Sequence, residues 1–206
     1  MIVAMQESRM ETLPDRYGVI GHPISHSRSP LIHSEFARAT RQHLVYERFD
    51  IAPNELVTRV QALFREGVRG LNVTVPHKEA IVTLTQDLTE RAKLAGAVNT
   101  LIALPDGRLR GDNTDGAGLV ADLRYLDIDV TGRSVLILGA GGATRGIAGP
   151  LLAQHPSKLV IANRNLARAE DLIESFRNTA ISESVSLSAC RMEELREPFD
   201  IVIHAT

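Results

Sequence analysis

The segment SVLILGAGGATRG, residues 134–146, constrains the fold more than any other part of this 206-residue chain. An apolar run of strand length ends in a turn of small residues, and a helical pattern follows at once. Glycines at such a turn let backbone N–H groups approach an anion, and the start of the helix adds the positive end of its dipole. The segment therefore predicts a Rossmann-type strand, turn and helix that bind a nucleotide pyrophosphate.

The turn departs from the strict G-x-G-x-x-G pattern at its last position, where Thr144 replaces glycine. The alternative interpretation is a tight turn that serves only the close packing of strand and helix. Because the flanking pattern is that of a strand and a helix, we favour nucleotide binding. The residues expected to line the phosphate site are Gly139, Ala140, Gly141, Gly142 and Ala143.

The next apolar run, at 159–165, ends without the acidic residue that binds a ribose 2′-hydroxyl in NAD sites. The side chains that stand there instead are Asn163, Arg164, Asn165 and Arg168. A guanidinium binds a phosphate through forked, charge-assisted hydrogen bonds, so this group favours NADP over NAD. The alternative for Arg168 is a solvent-exposed position at the start of a helix.

Short apolar runs alternate with helical patterns from Tyr17 onwards, which predicts an α/β fold with two α/β units flanking a cleft. Turn residues in GDNTDG, at 111–116, indicate the boundary between the units. We expect three parts: an extension over residues 1–16, a substrate-binding domain over 17–115, and a Rossmann-type NADP-binding domain over 116–206.

Ser29 and Pro30 are typical of a helix start in the first unit, with Ser29 as the N-cap. Leu31, Ile32, Phe36 and Ala39 follow at helical spacing and supply an apolar stripe of the kind that packs on a core. The strands expected around this helix are residues 17–21, 44–51 and 71–75.

Composition excludes several classes of partner. The net charge of -2 arises from 23 basic and 25 acidic residues without a basic stripe, so nucleic acid is not expected. No apolar run reaches the length of a membrane span, and we expect a cytoplasmic protein. The single cysteine, Cys190, has no Cys or His neighbour at metal-ligand spacing, so no metal site is expected.

Hydroxyl, amide and charged side chains collect at strand ends and loops of the first unit. They are Ser27, Ser29, Asn72, Thr74, Lys78, Asn99, Asp112 and Asp115. Such a set suits a small polyhydroxylated acid. The alternatives are a surface position for Lys78, a helix cap for Ser29, and a half-exposed strand for Asn72 and Thr74.

Five motifs occur in the order and spacing of the shikimate dehydrogenase family: HPISHSRSPLIH, NVTVPHK, AGAVNT, GDNTDG and GAGGATRG. The chain resembles this family from about Tyr17 to Thr206. The resemblance implies the reversible NADPH-dependent reduction of 3-dehydroshikimate to shikimate, in the biosynthesis of aromatic amino acids. The alternatives are a quinate/shikimate dehydrogenase that uses NAD and a non-catalytic ligand-binding module.

The resemblance also implies roles for single residues. Ser27 and Ser29 would hold the substrate carboxylate. Asn72, Thr74 and Asn99 would bind ring hydroxyls. Lys78 and Asp115 would form the catalytic pair, and the chemistry of alcohol oxidation agrees, because a hydride leaves carbon only as the hydroxyl proton is taken up.

The chain departs from the family pattern at three places. Asn165 stands where the family has threonine, which weakens one 2′-phosphate contact, and His204 stands where it usually has asparagine. The chain also stops at Thr206, before the family's later strands and closing helices, which implies a C-terminally truncated form. We therefore expect residues 1–206 to show little or no dehydrogenase activity. We also expect them to self-associate, as a homodimer or a larger assembly.

Replacement of Arg164 by alanine is expected to weaken NADP binding much more than NAD binding, because only NADP carries the 2′-phosphate. Calorimetric dissociation constants for the two cofactors measure the difference. Equal losses for both cofactors would contradict the assignment of Arg164 to the 2′-phosphate.

Overall fold

A computed structural model describes residues 13–206, so most of the expected extension over residues 1–16 lies outside the described residues. The predicted α/β fold is confirmed, with two sheets in two units. Asp15 and Arg16, expected in the extension, belong to the first strand.

Within the described residues, from Leu13 onwards, the first unit contains six strands and three α-helices. In chain order they are β1 (Asp15–Gly21), α1 (Ser29–Thr40), β2 (Leu44–Asp50), α2 (Leu56–Arg65), β3 (Val68–Val73), β4 (Asp87–Leu88), α3 (Glu90–Ala95), β5 (Thr100–Ala103) and β6 (Leu109–Asp112). Short 3-10 helices span Pro53–Glu55 and Ala80–Leu84.

The first sheet has the order β2-β1-β3-β5-β6-β4. β1 pairs in parallel with both β2 and β3, as expected for the strands predicted at 17–21, 44–51 and 71–75, which alternate with helical patterns. In contrast, β5 runs antiparallel to β3. Parallel pairing brings the carboxyl ends of β1 and β3 to the same sheet edge. The loops that follow these strands, with Ser27 on one and Lys78 on the other, therefore begin side by side.

Helix α1 differs from its prediction in two respects. Arg28 occupies the N-cap position and makes no side-chain cap hydrogen bond, so Ser29 is the first helical residue. The expected apolar face is also exposed: Leu31, Ile32 and Phe36 retain 57%, 47% and 59% of their accessible surface. A different face of the helix is turned towards the sheet. Ala37 is buried on this face, and the His33 ring stacks on the Tyr46 ring of β2 with the two ring centroids 4.0 Å apart. Helical spacing alone does not fix which face packs when small and aromatic polar residues form the rival face.

The second unit has four parallel strands, and an α-helix leads into it. In chain order the elements are α4 (Asp115–Tyr125), β7 (Ser134–Leu138), α5 (Gly142–Leu152), β8 (Lys158–Ala162), α6 (Leu166–Ser182), β9 (Ser186–Cys190) and β10 (Ile201–His204). The sheet order β9-β8-β7-β10 is that of the first four strands of a doubly wound nucleotide-binding fold. The glycine turn after β7 lies at the point where the strand order reverses, which is where ligands bind in such sheets.

Each unit has its own apolar core. Ile20, Leu71 and Leu101 of the first sheet pack with Val60 and Leu63 of α2. In the second unit, the strand residues Val135, Ile137, Leu159 and Ile161 pack against Leu151 of α5 and Phe176 of α6. Within residues 13–206 the structure contains no helix that is long and apolar enough to cross a membrane.

Asp112, one of the polar residues gathered in the first unit, has a structural role at the end of β6. Arg91 and Thr89 donate hydrogen bonds to its carboxylate, and the backbone N–H of Asn113 adds another. These bonds, chiefly the one from Arg91, lower the pKa of Asp112 to about 2. The ion pair ties α3 to β6 and fixes the loop that leads into α4.

We expect Asp112→Asn to lower the free energy of unfolding at pH 7 by about 1 to 2 kcal/mol, after discounting for the half-exposed guanidinium. A carboxyl whose pKa is depressed in the folded protein contributes its full stabilisation at pH values above its pKa in the unfolded chain, about 4. The contribution is lost as the pH falls towards the folded-state pKa of about 2. Urea unfolding at a series of pH values should therefore show the two proteins converging in acid. An equal difference at pH 7 and about pH 3 would contradict this role.

Candidate active site

Lys78 and Asp115 form an ion pair at the edge of the cleft. The Lys78 Nζ lies 2.5 Å from Asp115 Oδ2, and the two side chains are 13% and 22% exposed. Hydrogen bonds fix the backbone at and next to Lys78. The Lys78 carbonyl accepts from the Val98 N–H at 2.7 Å, and the buried ring of the preceding residue, His77, donates to the Ile51 carbonyl at 2.7 Å. The surface position considered for Lys78 is therefore wrong.

Asn99 fixes the other side of the Asp115 carboxylate. Its Nδ2 donates to Asp115 Oδ1 at 2.8 Å and to Thr114 Oγ1 at 2.9 Å. Its Oδ1 accepts from the Thr114 N–H at 3.0 Å and from the Thr100 hydroxyl at 2.9 Å. Because both donors of this amide are engaged by the protein, Asn99 orients the carboxylate that pairs with Lys78.

Asn72 lies on β3 beside this network, and Tyr46 of β2 fixes its orientation. The Tyr46 hydroxyl donates to Asn72 Oδ1 at 2.6 Å, and burial raises the pKa of Tyr46. The Asn72 Nδ2 makes only long contacts, at 3.5 Å to the Asn99 carbonyl and 3.4 Å to Thr100 Oγ1. The Asn72 side chain is therefore oriented so that its Nδ2–H group can donate a hydrogen bond to a ligand. Sequence reasoning missed Tyr46, because an aromatic residue in an alternating strand has the pattern of an ordinary core position.

Ser27, on the loop between β1 and α1, lies next to Ser29, the first residue of α1. The Ser27 hydroxyl donates to Ser29 Oγ at 3.2 Å and accepts from the Ser29 N–H at 3.3 Å. Arg48 of β2 donates to the Ser27 carbonyl at 2.7 Å and so holds the loop. Thr74 follows β3 at the same sheet edge, where its N–H donates to the Ile20 carbonyl at 2.9 Å.

The glycine turn forms one wall of a pocket of about 320 Å³ that both units line. Gly139 has φ +111°, a conformation that favours glycine, and the Thr144 hydroxyl closes the turn by donating to the Gly139 carbonyl at 2.9 Å. The departure from the glycine pattern at Thr144 therefore stabilises the turn. The turn residues that line the pocket are Gly139, Ala140, Gly141, Gly142 and Ala143.

The far end of this pocket is polar and basic. Asn163, Arg164 and Arg168 line it, whereas Asn165 is the N-cap residue of α6 and lies outside the lining. Asn163 is held by a hydrogen bond from its Nδ2 to the Asn165 carbonyl at 2.8 Å. The chemistry of this end fits an adenosine 2′-phosphate, because two guanidinium groups line it. At the glycine turn, a Cβ added to Gly141 would meet no atom within 4 Å, so the space there is open to a pyrophosphate.

The two sites meet at Lys78. Lys78 and Glu79 line the nucleotide pocket together with the glycine turn, and a Cβ added to Gly142 would lie 2.8 Å from the Lys78 Cβ. Sequence reasoning missed Glu79, which pairs with Arg145 of α5 at 3.2 Å. No local pattern distinguishes this acid from a solvent-exposed one. A buried lysine–carboxylate pair between a cluster of hydrogen-bonding side chains and a glycine-turn pocket is typical of an α/β nicotinamide-dependent oxidoreductase.

Comparisons with known proteins agree on one family. The model of the shikimate dehydrogenase substrate binding domain matches residues 19–101, and that of shikimate / quinate 5-dehydrogenase matches residues 123–206. The chain belongs to the shikimate dehydrogenase family.

Individual relatives give the same result. The NADP(+) shikimate dehydrogenase of Aeromonas salmonicida is 49% identical over 192 residues, which are 93% of this chain and 68% of that protein. The corresponding protein of Methylococcus capsulatus is 49% identical over 95% of this chain and 69% of its own length. The crystal structure of shikimate 5-dehydrogenase from Thermus thermophilus in complex with NADP(H) and shikimate superimposes with a TM-score of 0.80 and 33% identity, covering 93% of this chain and 68% of that one.

Gly146 and Gly118 offer a matched test of the packing behind the ion pair. A Cβ added to Gly146 of α5 would lie 2.7 Å from Asn113 Oδ1 and 2.9 Å from Asp115 Oδ2, whereas one added to Gly118 of α4 would meet nothing within 4 Å. Both replacements by alanine gain about 0.5–1 kcal/mol of helix propensity, but overpacking at Gly146 costs about 1–3 kcal/mol.

We therefore expect Gly118→Ala to raise the melting temperature by a few degrees and Gly146→Ala to lower it. Differential scanning calorimetry of the two variants measures this. Equal stabilisation by both substitutions would contradict the close contact between α5 and the Asp115 carboxylate.

Proposed function

We propose that this protein catalyses the reversible NADP-dependent interconversion of shikimate and 3-dehydroshikimate, with the acid bound on the first unit and NADP on the second. The observation that carries the proposal is the Lys78–Asp115 pair, 2.5 Å apart, beside the glycine turn. Relatives that are 49% identical and carry the name of this activity support it.

The substrate roles follow from the donors and acceptors that each group presents. Ser27, on the loop after β1, and Ser29, at the start of α1, offer hydroxyl groups for the substrate carboxylate. Asn72 offers an N–H donor for a ring hydroxyl, since its carbonyl is occupied by Tyr46. Thr74 is another proposed hydroxyl ligand. Asn99 is the last, and it would bind a ring hydroxyl by exchanging its hydrogen bond to Thr114 Oγ1 for one to the substrate, while its other N–H keeps Asp115 oriented.

Lys78 is the proposed proton-transfer group. Oxidation of a secondary alcohol removes a hydride from carbon and a proton from oxygen, and Lys78 takes up that proton or, in the reverse direction, returns it. Asp115 stabilises the ammonium form and fixes its position, because Asn99 and Lys78 each engage one carboxylate oxygen. The pair is largely buried, which strengthens this interaction relative to one in water.

NADP, when bound, supplies the hydride acceptor of the oxidation. We propose that Gly139, Ala140, Gly141, Gly142 and Ala143 approach its pyrophosphate through backbone N–H groups at the start of α5. Arg164 and Arg168 would pair with the 2′-phosphate, with Asn163 and Asn165 as polar neighbours.

The proposal also includes the domain boundary, the cellular location and the self-association of the protein. We place the boundary between a substrate-binding domain over 17–115 and an NADP-binding domain over 116–206 at the start of α4. Cytoplasmic location rests on the single cysteine, and self-association rests on the exposed Leu31, Ile32 and Phe36 of α1.

Steady-state rates with shikimate or quinate, each with NADP or NAD, test the activity. They are measured on residues 1–206 and on a form extended to the full length of the relatives, because we expect little or no turnover from residues 1–206 alone. We expect the highest kcat/KM for shikimate with NADP. A preference for quinate with NAD would favour the alternative dehydrogenase, and ligand binding without turnover would favour a non-catalytic module.

In a form extended to the full length of the relatives, replacement of Lys78 by alanine is expected to lower kcat by about 10²- to 10⁴-fold with a much smaller rise in KM, because it removes the proposed proton-transfer group. Asp115→Asn should act in the same way. Lys93→Ala, on a lysine that pairs with exposed Glu90, serves as the control and should leave both constants near wild type. A rise in KM with near-normal kcat in Lys78→Ala would assign this lysine to binding alone.

A further inference from the structure

Glu79 extends from the first unit to two arginines of the second. Its Oε2 accepts a hydrogen bond from Arg145 Nε at 3.2 Å, and its Oε1 lies 3.8 Å from an Arg168 terminal nitrogen. Among the ion pairs formed by residues 13–206, these are the two that connect the first sheet unit with α5 and α6. One carboxylate therefore joins the segment that carries Lys78 to the nucleotide-binding unit.

Arg168 has two candidate anions within reach. It lines the same pocket as Asn163 and Arg164, where we propose that the 2′-phosphate binds, and Glu79 lines that pocket too. A guanidinium that turns to a phosphate gives up its carboxylate partner, and the carboxylate repels the incoming dianion.

The pair with Arg168 is the weaker of the two that Glu79 makes. Arg168 and Glu79 are 59% and 41% exposed, and exposed ion pairs contribute little. Arg145 is only 21% exposed and closer, so it remains as the partner of Glu79 when Arg168 moves. The exchange therefore leaves no charge unpaired, which makes displacement of the Glu79–Arg168 contact feasible.

We propose that Glu79 is a specificity-determining residue that competes with the 2′-phosphate of NADP for Arg168. NAD carries no 2′-phosphate, so the Glu79–Arg168 contact persists when NAD binds and Glu79 weakens NADP selectively. The inference rests on the proposed function, because it takes Arg168 as a 2′-phosphate ligand.

The test measures dissociation constants of NADP and NAD by calorimetry for the full chain and for Glu79→Gln, Arg168→Ala and the double variant. We expect Glu79→Gln to tighten NADP by about two- to fivefold, the range of an exposed ion pair, and to change NAD much less. The gain should shrink at about 0.5 M salt, where exposed charges are screened. Glu174→Gln removes the same charge from the outer part of α6 and should leave both constants unchanged.

The double variant separates this competition from general repulsion. If the contact with Arg168 carries the effect, Glu79→Gln gains nothing selective for NADP in the Arg168→Ala background. Equal tightening of NADP and NAD, no tightening, or a selective gain that survives Arg168→Ala would each overturn the inference.

Failure of the inference and failure of the proposed function give different results. If Arg168→Ala weakens NADP selectively while Glu79→Gln has no selective effect, the 2′-phosphate assignment stands and only the competition is overturned. If Arg168→Ala leaves the ratio of the two dissociation constants unchanged, the assignment of Arg168 fails and the inference falls with it.

Discussion

The ion pair between Lys78 and Asp115 is the contact around which the rest of the site is arranged. Both groups are largely buried, and a buried charge without a partner costs several kcal/mol, so neither is tolerable there alone. The partners are 37 residues apart in sequence. They meet because β5 lies next to β3 and β6 next to β5, and this order brings the start of α4 to the loop after β3. Asn99, just before β5, then locks the carboxylate through its second oxygen.

Small residues bring this pair to the nucleotide-binding unit. Gly142 at the start of α5 lies against Lys78, and a Cβ on Gly116 of α4 would meet Pro150 of α5 at 2.3 Å. A larger side chain at Gly142 would push α5 away from Lys78, and one at Gly116 would push α5 away from α4. The glycines of the turn therefore lie both at the proposed pyrophosphate site and against Lys78, the proposed proton-transfer group, so the two proposed sites share one lysine.

Several parts of this arrangement could be predicted from the sequence, and others could not. The glycine turn between β7 and α5 formed as predicted, because its signal is local: a strand-length apolar run, small residues and a helical pattern. The apolar face of α1 was predicted to be buried and is exposed, because the sheet contacts the His33 and Ala37 face. Tyr46 gave no signal of its hydrogen bond to Asn72, since strand periodicity reports a face and not a partner.

The sequence by itself determined the α/β class, the strand and helix order and the residue types available for chemistry, since hydrophobic periodicity and turn residues act over a few neighbouring positions. Only the tertiary structure decided that both donors of Asn99 are used to hold Asp115 and Thr114, and that Glu79 reaches Arg145 and Arg168. These contacts depend on distances between segments remote along the chain. Such distances are set by sheet order and helix packing, which no local pattern encodes.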